Sequence, residues 1–167
     1  MDTKQPIKKM YISLPITGID DNNSSVERIA FHIARSLGYW VYTPSHLAEF
    51  VKETLPNPEY KHFLGFDIWS ISRCHAVMIC PGWEKSKGCL LEVRFAIEND
   101  IPIYDFDTRE IISNDKIERG LFPEKFKYEI EKLENTTSYE NMMFWFVALG
   151  LSFLSFTGII HWIQKMF

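Results

Sequence analysis

Cysteine is scarce in this chain, and the few that occur follow no recognisable pattern. There are three, Cys74, Cys80 and Cys89. An odd number does not make a disulfide framework, and their spacing is not that of metal ligands. We therefore interpret them as reduced thiols, and we predict neither a metal site nor a bound cofactor.

Net positive charge is also lacking. The 18 Lys and Arg residues are outnumbered by 22 Asp and Glu residues, which gives a formal net charge of −4. A broad nucleic-acid surface needs a net basic face, so we expect no nucleic-acid partner. Met1–Ser13 contains no apolar stretch of the kind that a secretory signal needs. A cytoplasmic location is therefore expected for the N-terminal part.

Charged side chains are absent from one long segment near the C-terminus. No Asp, Glu, Lys or Arg occurs between Asn141 and Gln164. As a helix, Met142–Ile163 would extend about 33 Å, which exceeds a hydrocarbon core of about 30 Å. Trp145 and Trp162 lie near its two ends, where indole rings favour the membrane interface. The segment is therefore predicted to be a transmembrane helix; a fully buried core helix is the alternative.

Short apolar runs alternate with helical patterns over the rest of the chain. Between the runs, hydrophobic residues recur at helical spacing, and glycine or proline separates the segments. This alternation predicts an α/β fold, namely a flavodoxin-like or Rossmann-like doubly wound parallel sheet with helices on both faces. The predicted strands are Lys9–Ser13, Tyr39–Thr43, His75–Cys80 and Ile101–Asp105.

The predicted domain organisation has three parts. Residues 1–112 form the α/β domain, residues 113–141 form an amphipathic helix and a polar linker, and residues 142–163 form the transmembrane helix. We expect a single-pass C-terminal anchor in a lipid bilayer, with the soluble domain in the cytoplasm. In open α/β sheets, ligands bind beyond the carboxyl ends of the strands, where the strand order reverses. Two loops that follow predicted strands, Leu14–Asp20 and Pro81–Gly88, are the candidates.

Four motifs occur in order along the predicted α/β domain. Tyr11–Gly18 reads YISLPITG, Asp67 lies in a predicted helix, Cys74–Trp83 reads CHAVMICPGW, and Ser86–Glu92 reads SKGCLLE. Together they resemble the nucleoside 2-deoxyribosyltransferase family, in particular its small phage and bacterial branch. The resemblance covers about residues 8–106 and does not include the tail.

The resemblance implies an activity and a set of roles. The family cleaves or transfers the N-glycosidic bond of a deoxynucleoside or of its 5′-phosphate. Glu92 would be the nucleophile at C1′, Asp67 the acid that protonates the leaving base, and Tyr11 the holder of the nucleophilic carboxylate. Ser86 and Gly88 would contact a 5′-phosphate. The first-loop residues that would line the substrate site are Ser13, Ile16, Thr17 and Gly18. A homo-oligomer is also implied, because relatives commonly pair subunits around the site.

These residue types suit that chemistry on their own terms. Glycosidic cleavage passes through an oxocarbenium-like state that a carboxylate can trap, and a second acid must protonate the leaving group. Ser86 and Gly88 lie at a predicted helix N-terminus, where free N–H groups favour an anion. Each residue also has a purely structural alternative: a solvated helix position for Glu92 and Asp67, strand packing for Tyr11, and a helix cap for the serine and glycine.

Two positions differ from the pattern of the family. Leu14 stands where relatives usually have glycine, and we expect it to restrict the backbone and to place bulk beside the cleft. His75 stands where relatives commonly carry aspartate. We expect His75 to begin a strand rather than to act as a base.

Two classes of function stay open. The first is an enzyme, a membrane-anchored nucleoside or nucleotide N-glycosidase (a hydrolase) or 2-deoxyribosyltransferase. The second is a catalytically inactive module that senses a nucleotide and acts through a membrane-helix effector, as in bacterial defence systems. In both, the small-molecule partner is a nucleoside or nucleotide. A membrane-tethered scaffold with a dead site is a third possibility.

Overall fold

The computed structural model describes residues 7–16, 23–114 and 117. Five strands and four helices occur in these residues. The strands are β1 (Lys9–Ser13), β2 (Trp40–Tyr42), β3 (Ala76–Ile79), β4 (Ile103–Asp105) and β5 (Ile111–Ile112). The helices are α1 (Ser24–Ser36), α2 (Pro44–Thr54), α3 (Tyr60–Ile71) and α4 (Lys87–Glu98), and a short 3₁₀ helix spans Trp83–Lys85. The prediction of an α/β fold is confirmed.

The five strands form one sheet in the order β2-β1-β3-β4-β5. β1 pairs in parallel with β2 and β3, and β3 pairs in parallel with β4. The strand order reverses at β1, which has β2 on one side and β3 on the other. This places the switch point, where such sheets bind ligands, between the carboxyl ends of β1 and β3.

The prediction of a wholly parallel sheet is wrong at one edge, because β5 runs antiparallel to β4. Only residues 106–110 join the two strands, whereas a parallel crossover needs a dozen residues or more. The turn is held by Asp105, whose carboxylate accepts hydrogen bonds from the backbone N–H groups of Asp107 (3.0 Å) and Thr108 (2.8 Å).

Helices cover both faces of the sheet, since alternate residues of β1 point to opposite sides. Met10 and Ile12 pack with Ala30, Ile33 and Ala34 of α1 in a buried cluster on one face. Tyr11 and Ser13, the alternate residues of β1, face α4 on the other side of the sheet. Helix α3 also contacts β1 and α4 on that side. The second face therefore carries polar as well as apolar buried residues.

The end of α1 illustrates how local sequence sets an element boundary. Gly38 adopts a φ of +85°, which lets the chain turn out of the helix without a side-chain clash. The N–H of Gly38 donates to the carbonyl of Arg35 (3.0 Å), and the N–H of Tyr39 donates to that of Ala34 (3.1 Å). This is the Schellman pattern, and it directs the chain into β2.

The predicted transmembrane helix, residues 142–163, lies outside the described residues, as does most of the predicted segment 113–141. Within 7–16, 23–114 and 117, no helix combines the length and the apolar character that crossing a bilayer requires. Contacts divide the chain into two units, Met1–Glu131 and Lys132–Phe167, and all described residues belong to the first.

Candidate active site

The described start of the first loop, residues 14–16, lies beside the second loop, residues 81–88, at the switch point. The N–H of Cys80 donates to the carbonyl of Ser13 (3.0 Å), so β1 and β3 stay paired up to their carboxyl ends. Gly82 adopts a φ of +83°, and a side chain there would contact Pro15 at 3.7 Å. The first loop is tied down further by Asn23, whose amide donates to the carbonyl of Pro15 (2.9 Å).

Glu92 is the centre of the polar cluster on the α4 face of the sheet. Its carboxylate accepts one hydrogen bond from the Tyr11 hydroxyl at 3.0 Å and another from the Ser13 hydroxyl at 2.6 Å. All three side chains are buried, with Glu92 only 4% exposed. The solvated-helix alternative for Glu92 and the plain-packing alternative for Tyr11 are therefore wrong.

The local sequence explains why these groups meet. Tyr11 and Ser13 are two residues apart in β1 and so project from the same face of the sheet. Ser86 is the N-cap residue of α4, and its hydroxyl accepts a hydrogen bond from the N–H of Cys89 at 3.4 Å. Glu92 is the sixth residue of this helix, and so lies between one and two turns from its start.

Asp67 supplies a second carboxyl group to this cluster from α3. It is half-buried. Burial and the negative charge of Glu92 raise the pKa of Asp67 well above its usual range, and the nearby Tyr11 hydroxyl offsets part of this effect. The Tyr11 hydroxyl thus lies between the two carboxyl groups, and burial and the acidic groups around it raise its own pKa well above 10.

The two carboxyl groups have different environments, and this separates their chemical roles. Burial raises the pKa of Glu92 to about 7, while the hydrogen bonds from Ser13 and Tyr11 stabilise its ionised form. The negative charge of Glu92 in turn raises the pKa of Asp67. These surroundings favour the ionised form of Glu92 and the protonated form of Asp67. Such a pair suits a nucleophile or base beside a general acid.

The burial of Glu92 makes the stability of the fold depend on pH. Its pKa rises from 4.5 to about 7 on folding, so the folded state holds an extra proton between these values. The stability contributed by this proton is complete below pH 4.5 and is lost as the pH rises through about 7. Glu92→Gln carries no charge at either end of this range. We expect it to raise the free energy of unfolding at pH 8 by about 2 to 3 kcal/mol.

Denaturant unfolding of wild type and variant at pH 4.5 and pH 8 measures this effect. The difference should be small at the lower pH, where wild-type Glu92 is largely protonated. The matched control is Glu98→Gln, the same change on the same helix at a side chain that is 48% exposed and paired with Arg94. The two variants could instead have the same free energy of unfolding at pH 8. That result would show that the folded state does not destabilise the ionised form of Glu92.

The structure brings most of the predicted site residues together. Tyr11, Ser13, Asp67 and Glu92 form one interacting cluster. Ser86 and Gly88 lie at the start of the helix that carries Glu92, as expected. Ile16 is half-buried at the end of the described part of the first loop. Thr17 and Gly18 lie outside the described residues.

Two expectations about individual positions have different outcomes. Leu14 does not place bulk beside the cleft: it is 3% exposed and packs in the buried cluster between β1 and α1. Its direction follows from strand alternation, which sends it to the face opposite Ser13. His75 lies at the other end of the sheet, where its Nδ1 accepts a hydrogen bond from the N–H of Lys9 at 3.1 Å. The expected structural role of His75 is confirmed.

Two further groups belong to the cluster and were not predicted. Burial, together with the nearby acidic groups of Glu92, Cys89 and Asp67, raises the pKa of the Tyr60 hydroxyl to about 12. Cys89 is 2% exposed, and burial beside Glu92 raises the pKa of its thiol. Tyr60 lies two helical turns before Asp67, a spacing that could have identified it.

A metal ion is not part of the described arrangement. In the part of the chain that the structure describes, no group of three or more His, Cys, Asp or Glu side chains is placed to hold one. The three cysteines are free thiols.

Residues 8–105 match the model of the family described as "Domain of unknown function (DUF4406)". The match ends with β4, so it includes the whole cluster around Glu92 and excludes the C-terminal segment. No curated protein and no solved structure matches the chain. The resemblance to nucleoside 2-deoxyribosyltransferases remains a prediction.

Proposed function

The chain belongs to this family, whose description assigns no activity, and from the site together with the resemblance to nucleoside 2-deoxyribosyltransferases we propose that it cleaves the N-glycosidic bond of a deoxynucleoside. The bond would be cleaved in the nucleoside or its 5′-monophosphate, with Glu92 as the nucleophile at C1′. The protein would act as an N-glycosidase if water takes the sugar, and as a 2-deoxyribosyltransferase if a second base does. No cofactor enters this proposal.

One observation carries the proposal: the buried carboxylate of Glu92 is held by two hydroxyl groups beside a second carboxyl group, that of Asp67, whose pKa is raised. Tyr11 and Ser13 orient Glu92 and leave its position fixed at the switch point. Among the residues that the structure describes, Glu92 forms no ion pair, and burial of an unpaired carboxylate would be costly for a purely structural glutamate. Perturbed carboxyl pairs of this kind are typical of functional sites.

The proposed reaction has two steps. In the first, a Glu92 oxygen forms a bond to C1′ while the C1′–N bond breaks, and its electron pair leaves with the base. Asp67 donates its proton to the departing base. In the second, water or an incoming base attacks C1′ and releases the Glu92 carboxylate, and the proton of the attacking group passes to Asp67. This is the double displacement by which a carboxylate nucleophile retains configuration.

The C-terminal segment extends the proposal beyond the α/β domain. The charge-free residues 142–163 would anchor the protein in a bilayer with the active site in the cytoplasm, where nucleosides are available. The protein would also form a homo-oligomer. Both points rest on the sequence and on the resemblance.

Base release by the full-length chain tests the proposal. The protein is incubated with each of the four deoxynucleosides and with each 5′-monophosphate, and free base is separated and quantified. Release of base that depends on the folded protein supports the enzyme. If no substrate is cleaved, yet one of them raises the melting temperature, the proposal fails and a nucleoside-binding module replaces it.

A further inference from the structure

Tyr60 occupies the outer end of the candidate site. It is the first residue of α3, and as a residue it is 54% exposed. Its hydroxyl nevertheless lies over the first turn of α4, since a Cβ atom built on Gly88 would be only 3.2 Å from the Tyr60 oxygen. The same built atom would be 3.8 Å from the Ser86 hydroxyl. The ring is thus open to solvent on one side, while its polar end points into the site.

The first turn of α3 holds Tyr60 in this position. The N–H of Glu59 donates to Nδ1 of His62 at 2.8 Å, and the N–H of His62 donates to the carbonyl of Glu59 at 2.9 Å. These two hydrogen bonds close the helix start around Tyr60. They fix the backbone from which the Tyr60 side chain extends toward Gly88.

The residues of the candidate site follow two helices that pack together, α3 and α4. Tyr60 and Asp67 are seven residues apart on α3, and Gly88 and Glu92 are four apart on α4. Each pair shares a helix face, with a rise of about 10 Å for the first and about 6 Å for the second. The carboxyl groups form the inner end of the site, and Tyr60 with Gly88 forms the outer end. A sugar with C1′ at Glu92 that extends toward the start of α4 would bring its 5′-oxygen toward Gly88.

The surroundings of the Tyr60 hydroxyl keep it protonated. Burial, together with the nearby acidic groups of Glu92, Cys89 and Asp67, raises its pKa to about 12, so the hydroxyl can donate a hydrogen bond. The hydroxyl also fills the space directly over Gly88. A neutral oxygen acceptor placed beside it would gain a donor, whereas a 5′-phosphate would need the space that the hydroxyl fills.

We propose that Tyr60 determines the substrate class: its hydroxyl donates a hydrogen bond to the 5′-oxygen of an unphosphorylated deoxynucleoside and occupies the space that a 5′-phosphate would need. This inference rests on the proposed function. It assigns a different role to the outer end of the site than the phosphate contact that the resemblance implies for Ser86 and Gly88. It also explains the glycine, because a side chain at position 88 would displace the Tyr60 hydroxyl.

The test compares wild type and Tyr60→Phe, as full-length chains, on two substrates. One is the best-cleaved deoxynucleoside, and the other is its 5′-deoxy analogue, which lacks the oxygen in question. We expect Tyr60→Phe to lower kcat/KM for the first about tenfold, the effect of one lost hydrogen bond, and to leave the second unchanged. A merely structural role for Tyr60 would lower both values by the same factor.

Three outcomes separate this inference from the proposed function. An equal loss on both substrates, with base still released by wild type, overturns the role of Tyr60 alone. If wild type prefers the 5′-monophosphate to the deoxynucleoside, the role of Tyr60 is overturned as well. Absence of base release from every substrate overturns the proposed function, and the role of Tyr60 with it.

Discussion

Replacing Glu92 with glutamine is expected to reduce base release by about 10⁴-fold or more, because the amide cannot form the bond to C1′. The substitution preserves the size of the side chain, and the hydroxyl groups of Tyr11 and Ser13 remain to hold it. The loss should appear in kcat rather than in substrate binding. Initial rates of base release by the full-length protein, at saturating deoxynucleoside, measure it.

A loss of activity is informative only if the variant folds. Glu92→Gln is expected to be more stable than wild type at pH 8. At this pH wild type must bury an ionised carboxylate, as the raised pKa of Glu92 indicates, whereas the glutamine is neutral. An inactive variant with a raised melting temperature therefore identifies a functional rather than a structural glutamate. Glu98→Gln, on the exposed side of α4, should retain wild-type activity. Retention of activity by Glu92→Gln would exclude Glu92 as the nucleophile.

Replacing Asp67 with asparagine is expected to lower base release by about 10² to 10³-fold, the range for loss of a general acid. The size of the loss should depend on the leaving group. Deoxyguanosine needs a proton as its base departs, whereas 7-methyldeoxyguanosine carries a positive charge and releases a neutral base without one. The large effect is therefore expected for the first substrate and little effect for the second.

The pH profile gives an independent check on Asp67. Burial and the Glu92 charge raise the pKa of Asp67, so the protonated form persists to higher pH than for an ordinary aspartate. The wild-type rate should fall on the alkaline side as this proton is lost, and the fall should be absent with the methylated substrate. Equal losses for both substrates in Asp67→Asn would assign Asp67 to positioning rather than to proton transfer.

The elements of the fold were predictable where one local pattern dominates. The fully buried strand β3 appears in the sequence as a continuous apolar run, and Gly38 marks the end of α1. β5 was not predictable, because two residues, Ile111 and Ile112, are too short to form a recognisable period. Its pairing depends on the turn that Asp105 stabilises and on the free edge of β4.

Side-chain directions around the site were predictable only in part. Leu14 directly follows β1, in a loop rich in turn residues. It is buried under α1 because the alternation of side-chain directions in β1 continues to Leu14, and the sequence does not show how far that alternation extends. Tyr60 and Gly88 lie 28 positions apart in the chain. Their approach depends on how α3 packs against α4, which no local pattern encodes.

The sequence by itself determined the alternation of strands and helices, the motif around Glu92, and the charge-free segment from 142 to 163. These follow from short-range periodicity and composition, which the order of residues contains directly. Only the tertiary structure decided that Tyr11, Ser13, Asp67 and Glu92 meet in one buried cluster with Tyr60 at its outer end. The pKa of Glu92 depends on burial and on Tyr11 and Ser13, which lie about 80 residues away in sequence, and the pKa of Asp67 depends on burial and on Glu92. These surroundings exist only once the sheet and helices have packed.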